Sequence, residues 1–154
     1  MANTYTQLYI QIVFAVKGRK NIISEAYRES LQKYMTGTAQ NLGHKMLAIY
    51  CMPDHTHIFL GLNPDISISE TVRSIKANSS RAIKLESPKM KDFEWQRGYG
   101  AFSYAQSQIS NVANYIHNQP EHHKKQTFKN EYLEFLQKFE IEYDQKYLFE
   151  WLDE

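Results

Sequence analysis

The sequence predicts an α/β chain of the α+β kind: a single domain over residues 1–154, built on one mainly antiparallel sheet flanked by helices. Segments with period-two apolar alternation are interleaved with segments of helical period. The connections between them are mostly too short for parallel crossovers throughout, which need about a dozen residues or more. A chain of 154 residues also fits one domain and is long enough to bury a sizeable core.

Leu8, Ile10, Ile12, Phe14 and Val16 alternate with other residues and predict a first strand. Ser24 is a helix cap, and the helix it opens runs to about Leu42. Its apolar face is Tyr27, Leu31, Tyr34, Met35, Thr38 and Leu42, with Gly43 as a natural stop. Met46–Cys51 and Thr56–Leu62 read as two strands, and Pro53-Asp54 between them is turn chemistry, which predicts a hairpin. Ser67-Ile-Ser-Glu70 is a capping box for a helix with the stripe Ile68, Val72, Ile75, Ser79 and Ile83. Phe93–Trp95 and Ala101–Tyr104 read as short strands around Gly98 and Gly100. A helix from about Ser107 to Gln119 follows, closed by Pro120, and a last helix runs from about Phe128 to Phe139 before an acidic, aromatic tail.

Hydrophobic residues make up 42% and charged residues 23%, the composition of an ordinary globular protein. The single cysteine, Cys51, excludes a disulfide framework or a cysteine-based zinc site and fits a reducing, cytoplasmic setting; in its apolar run it reads as a small core residue. No apolar run reaches the ~20 residues of a membrane span, and the N-terminus reads as a strand without a basic leader. Net charge is only +1, but it is unevenly spread. Residues 72–97 hold seven basic residues against three acidic ones, whereas residues 131–154 hold two lysines against eight acidic residues. The basic segment, with Arg73, Lys76, Arg81, Lys84 and Arg97, is a candidate phosphate-binding surface or simply a solvated face.

His55-Thr56-His57 opens a strand, so both imidazoles share a face and converge as two metal ligands should, while Thr56 points to the core. They are equally readable as two unrelated polar residues at a strand end; as ligands at a strand end they are expected to contribute little to the core. Tyr115 and Gln119 are four apart in a predicted helix whose apolar stripe is Ile109, Val112, Ala113 and Ile116. At about 100° per residue, Tyr115 lies roughly 120° from the stripe centre and Gln119 roughly 80°. Tyr115 is thus placed to reach a neighbouring surface, or is a boundary aromatic. Glu121-His122-His123 offers further metal-type side chains, but consecutive residues diverge, which favours a helix-end or DNA-contacting role for His122 and His123. No phosphate-binding glycine loop, His-Glu-x-x-His motif or nucleophile elbow is present, so no nucleotide cofactor is expected.

Several of these residues occur in ordered motifs: Tyr5-Thr-Gln-Leu-Tyr-Ile, Met52-Pro-Asp-His-Thr-His-Ile-Phe, Trp95-Gln-Arg-Gly-Tyr-Gly-Ala-Phe-Ser and Tyr115-Ile-His-Asn-Gln-Pro-Glu-His-His, continuing through Phe128 to Tyr132. Together they resemble the single-tyrosine transposases of the HUH endonuclease superfamily, encoded by the smallest bacterial insertion sequences, REP-associated relatives included. The resemblance covers nearly the whole chain. It departs at Thr56, where the family carries a bulky hydrophobic residue between the histidines. It implies a compact antiparallel sheet flanked by helices, related to the RNA-recognition fold. It implies Tyr115 as nucleophile and His55, His57 and Gln119 as ligands of a divalent ion, Mg2+ or Mn2+. It also implies transposition through a 5′-phosphotyrosine, on single-stranded DNA with hairpin ends, by a homodimer that pairs the histidines of one subunit with the tyrosine helix of the other.

The chemistry suits these side chains. A phenol, with an ordinary pKa of about 10, ionises far more easily than an aliphatic alcohol. Two imidazoles and an amide oxygen leave positions open for phosphate and water. A non-catalytic single-stranded nucleic-acid-binding module of the same fold, a small-phosphoester hydrolase with a merely structural Tyr115, and a domesticated relative are the competing readings.

Overall fold

The structure is a computed structural model that describes residues 3–19 and 21–144. The end of the acidic tail, from residue 145 onward, lies outside the described residues. The elements are β1 (Tyr9–Ala15), α1 (Glu25–Asn41), β2 (Lys45–Cys51), β3 (His55–Gly61), α2 (Ile68–Glu86), β4 (Gly100–Tyr104), α3 (Ile109–His117), α4 (Gln119–His122) and α5 (Phe128–Lys138). The four strands form one sheet in the order β2-β3-β1-β4, every pair antiparallel. The predicted antiparallel sheet with flanking helices is therefore the observed fold.

Alternation along the strands assigns the two faces. Ile10, Ile12, Phe14 and Val16 from β1 and its extension, with Thr56, Ile58 and Leu60 from β3, point to the layer of α1 and α2, whose Leu31, Met35, Val72, Ile75 and Ile83 are buried there. Gln11, Val13, His55, His57 and Phe59 point to the opposite layer, under α3 and α5. Burying each of the large apolar side chains contributes roughly 1.5–3 kcal/mol. Ser67 caps α2 by accepting from the Glu70 amide at 3.1 Å, as the capping box predicts. Ser24 sits at the N-cap of α1 without a side-chain capping bond, and Gly43 follows α1 at φ +86°, where a non-glycine residue would be strained.

Two expectations change. Phe93–Trp95 is not a regular strand: Trp95 makes a single bridge to Val16, flanked by Lys17 N–H to Glu94 O at 3.0 Å and Gln96 N–H to Ala15 O at 2.8 Å. β4 already occupies that edge of β1 from Tyr9 to Val13, which leaves only the end of β1 for this segment. The helix predicted from Ser107 to Gln119 is broken: a short 3-10 turn over Gln106–Gln108 precedes α3, which ends at His117, and α4 restarts at Gln119. Pro120 has no N–H to continue the ladder but is well suited to the first turn of a new helix, so it opens α4 where the sequence suggested a stop.

Candidate active site

β3 is an inner strand, and His55 and His57 are its first and third residues. Their rings share the α5 face, with centroids 5.2 Å apart. Contrary to the strand-end expectation, both belong to the interior, at 1% and 0% exposure. The reason is α5, which lays Phe128 flat on the His55 ring at 3.9 Å and sets Phe135 against His57 at 6.2 Å.

Each histidine is oriented from behind. His55 Nδ1 is 2.7 Å from Asp54 Oδ1, and His57 Nδ1 is 2.8 Å from Gln11 Oε1. Gln11 in turn donates through Nε2 to the Tyr104 hydroxyl at 3.0 Å, which fixes its carbonyl toward His57. With Nδ1–H donated to these acceptors, Nε2 of each ring is the nitrogen with a lone pair to offer, the usual preparation of an imidazole for a metal. Both Nε2 atoms face acceptors as well: Glu131 Oε1 lies 3.0 Å from His57 Nε2 and 3.7 Å from His55 Nε2, and Gln119 Oε1 lies 3.3 Å from His55 Nε2. Lone pairs converge on one buried point with too few protein donors to satisfy them. That arrangement calls for a cation, either protons or a metal. One donor atom from each of His55, His57 and Glu131 lies within 4.8 Å of the others, a spacing one ion can bridge.

Glu131 is the residue that sequence reasoning missed. It is 2% exposed on the apolar side of α5, three residues after Phe128 and four before Phe135. Counting it as part of an acidic tail hid it; its place within the helix's own apolar stripe was the available signal. Its Oε1 also lies 3.3 Å from His123 Nε2, and its Oε2 accepts from Gln119 Nε2 at 2.9 Å and from the Tyr115 hydroxyl. Burial opposes its ionisation, but His57, His123 and His55 overrule that and hold the carboxyl far below the usual carboxylate range. It is therefore a poor base and a good anchor.

Tyr115 projects from α3 off its buried stripe of Val112 and Ile116, as predicted, with its ring 6.1 Å from His57 and 4.4 Å from His122. Burial pushes its phenol above the ordinary value, and the charge and hydrogen bond of Glu131 push it further, opposed only by Gln119. A cation beside Glu131 would act in the opposite sense. A cavity of about 330 Å³ is lined by Tyr115 and Glu131 together with Tyr104, Gln108, Val112 and Phe135.

The structure thus gathers His55, His57, Tyr115, Gln119 and His123 around Glu131 within one chain, and the His122 ring lies tilted against the tyrosine. It does not gather the basic segment. Arg73, Lys76, Arg81 and Lys84 lie on α2, whose contacts with the Phe14 face put it on the other side of the sheet. Lys76 is committed to the fold: its ammonium donates to Gln96 O and Gly98 O at 2.7 Å each and sits over the Phe14 ring, and burial pulls its pKa down to about 8. Arg73, Arg81 and Arg97 are exposed. Cys51 is buried as expected, and burial pushes its thiol up to about 12, which makes it inert.

The family model described as IS200-like transposase matches residues 4–119. The chain belongs to the IS200-like transposase family. The ISDra2 transposase TnpA of Deinococcus radiodurans is 26% identical over 89 residues, 58% of this chain and 64% of that protein, so the match spans less than two thirds of its length. A crystal structure of a protein from Deinococcus radiodurans R1 superposes with a TM-score of 0.59 at 23% identity, covering 76% of this chain and 94% of that one. A REP-associated tyrosine transposase bound to a REP hairpin gives a TM-score of 0.59 at 18% identity, covering 79% of this chain and 72% of that one. These two neighbours share the fold. The matched family segment takes in His55, His57, Tyr115 and Gln119 and ends before His123 and Glu131. No helix among the described residues is long and apolar enough to cross a membrane.

Proposed function

We propose that this IS200-like family member is a DNA transposase that cuts and rejoins single-stranded DNA, carrying the new 5′ end as a phosphotyrosine on Tyr115 with a divalent cation held at His55 and His57. The observation that carries this is the convergence of a phenol hydroxyl and two prepared imidazole nitrogens on one buried carboxylate, Glu131. Two imidazole nitrogens with oxygen donors beside them suit Mg2+ or Mn2+, and the nitrogen donors favour Mn2+. When bound, such an ion stabilises charge on the phosphoryl oxygens and orients the scissile bond.

The chain's own residues do the rest. Asp54 and Gln11 lock the two rings, so no reorganisation is needed as charge develops. Glu131 and Gln119 hold Tyr115 with its hydroxyl directed into the site. The Tyr115 oxygen forms the bond to phosphorus, giving up its proton, and the bond to the 3′ oxygen breaks, that oxygen taking a proton as it leaves. One phosphodiester replaces another, so the reverse reaction rejoins strands without a nucleotide cofactor.

The hairpin-bound neighbour supports hairpin-ended single strands as the substrate. His122 and His123, on the site's own face, are the better-placed DNA contacts, with Arg73, Arg81, Lys84 and Arg97 offering a more distant basic surface. Excision takes two cuts and each chain has one nucleophile, which favours a homodimer. Within one chain the Tyr115 ring lies 6.1 Å from that of His57.

The test is a labelled single strand with a hairpin end, incubated with Mn2+ and run on a denaturing gel. A covalent adduct should form with the wild-type chain, map by mass spectrometry to the Tyr115 peptide, and vanish in Tyr115→Phe, which keeps the ring and the fold. An adduct on another tyrosine, or one that survives in the Phe variant, overturns the reading.

A further inference from the structure

We propose that the cation's third protein ligand is the carboxylate of Glu131, from α5, and that Gln119 supports that carboxylate instead of binding the ion itself. The inference builds on the metal part of the reading above and changes its donor set from two imidazoles plus an amide to two imidazoles plus an anion.

Glu131 Oε1 is 3.0 Å from His57 Nε2 and 3.7 Å from His55 Nε2. Donors on adjacent corners of an octahedron with bonds of about 2.1–2.2 Å are separated by about 3 Å, so these atoms need only small shifts to take one ion between them. Gln119 turns its oxygen toward His55 Nε2 at a looser 3.3 Å and uses its other end on the carboxylate. Its amide nitrogen donates to Glu131 Oε2 at 2.9 Å, which orients the carboxylate from behind as Asp54 and Gln11 orient the imidazoles. Between a neutral amide oxygen and a carboxylate within the same few ångströms, a hard divalent cation takes the carboxylate.

Burial makes the same point. A carboxylate at 2% exposure is costly unless paired, and it interrupts an apolar stripe where Phe128, Tyr132 and Phe135 pack. Every partner of Oε1 is an imidazole. Oε2 meanwhile holds the Tyr115 hydroxyl, so one side chain links the cation's position to the nucleophile's. Glu131 lies twelve residues beyond Gln119, past the segment that the family model matches.

The experiment is Mn2+ binding to the full chain without DNA, followed by calorimetry and by loss of the free-ion EPR signal. Glu131→Gln, which keeps the shape and removes the charge, should weaken binding at least a hundredfold. Gln119→Ala should weaken it no more than about tenfold. The reverse ranking overturns the proposal, and so does a wild-type chain that binds no Mn2+. If Glu131→Gln fails to fold, anomalous difference density from wild-type crystals soaked in Mn2+ decides. A Glu131 oxygen at about 2.2 Å from the ion supports the assignment, and a Gln119 oxygen there with Glu131 turned away overturns it. A chain that binds Mn2+ through Glu131 yet forms no DNA adduct would sink the transposase reading and leave this one standing.

Discussion

His44 and His57 are both buried histidines with a partner at each ring nitrogen, on opposite sides of the same sheet, and they teach opposite lessons. At His44, Nδ1 accepts from the Asn63 amide at 2.8 Å and Nε2 donates to Thr71 Oγ1 at 2.8 Å, whose own proton goes to Ser67 O. Donors and acceptors balance, one neutral tautomer satisfies everything, and nothing more is wanted. At His57 both nitrogens face acceptors, Gln11 Oε1 and Glu131 Oε1, and His55 repeats the pattern with Asp54 and Gln119. A neutral ring cannot satisfy two acceptors. The first arrangement is structural chemistry that is complete; the second is complete only when a cation enters. The α1–α2 side of the sheet closes the fold, and the α3–α5 side leaves a site.

The largest effect should come from breaking the second arrangement. His57→Ala leaves Glu131 buried with one partner fewer, at a cost of about 3 kcal/mol in stability. It should also erase the stabilisation by Mn2+, which at a hundred times the dissociation constant is about 2.7 kcal/mol for the wild type. His44→Ala loses two neutral hydrogen bonds and should cost about 2 kcal/mol while keeping the full Mn2+ response. Denaturant titrations with and without Mn2+ measure both. If His44→Ala lost the metal response, or His57→Ala kept it, the contrast between the two sites would fail.

This contrast was only half legible in the sequence. The period of two put His55 and His57 on one face, and the helical period set Tyr115 off the Val112 and Ile116 stripe; local geometry decides both, and local geometry is what spacing encodes. Which layer covers a face is a tertiary fact. Nothing in the spacing of His55 and His57 says that Phe128 will lie on the ring, so their burial was not foreseen. Gln11 is an ordinary off-stripe residue of an alternating strand until the sheet pairs β1 with β3 and brings His57 alongside. Glu131 had a local signature, a charge inside an apolar stripe, but the tail's overall acidity masked it. The basic segment misled for the same reason: composition is blind to which side of the sheet α2 packs on, and to Lys76 being held by two carbonyls.

Lys76 gives the next effect in size, since it lies on the side that closes the fold. Its ammonium joins α2 to the loop before β4 through two charge-assisted hydrogen bonds, at Gln96 O and Gly98 O. Lys76→Met keeps an unbranched side chain and removes both, together with the ammonium over the Phe14 ring, which should cost about 2 kcal/mol. Arg73→Ala, an exposed change on the same helix, should stay within about 0.5 kcal/mol. If the two variants were equally stable, and only DNA affinity fell for Lys76→Met, this lysine would be a binding residue after all.

The smallest effect is a slope in stability against pH, and it sharpens the comparison by asking whether the balanced site stays balanced. Burial lowers the pKa of His44 below its ordinary 6.5 in the folded chain. The unfolded chain therefore binds more protons than the folded one between those two values. Stability contributed by neutral His44 is fully present above pH 6.5 and is lost as pH falls through the folded value. The structural cause is specific: protonating Nδ1 replaces the lone pair that accepts from the Asn63 amide with a second donor, and two donors then face each other. His44→Asn cannot titrate, and its carbonyl can still accept from that amide. Its unfolding free energy should therefore fall less steeply than the wild type's between pH 7.5 and 5.5, both measured in a chelator so that no ion enters the opposite site. His55, whose pKa burial also lowers, titrates in both proteins and cancels in the difference. Parallel slopes would mean that His44 accepts its proton without loss, and that the two buried histidine sites differ less than their hydrogen bonds imply.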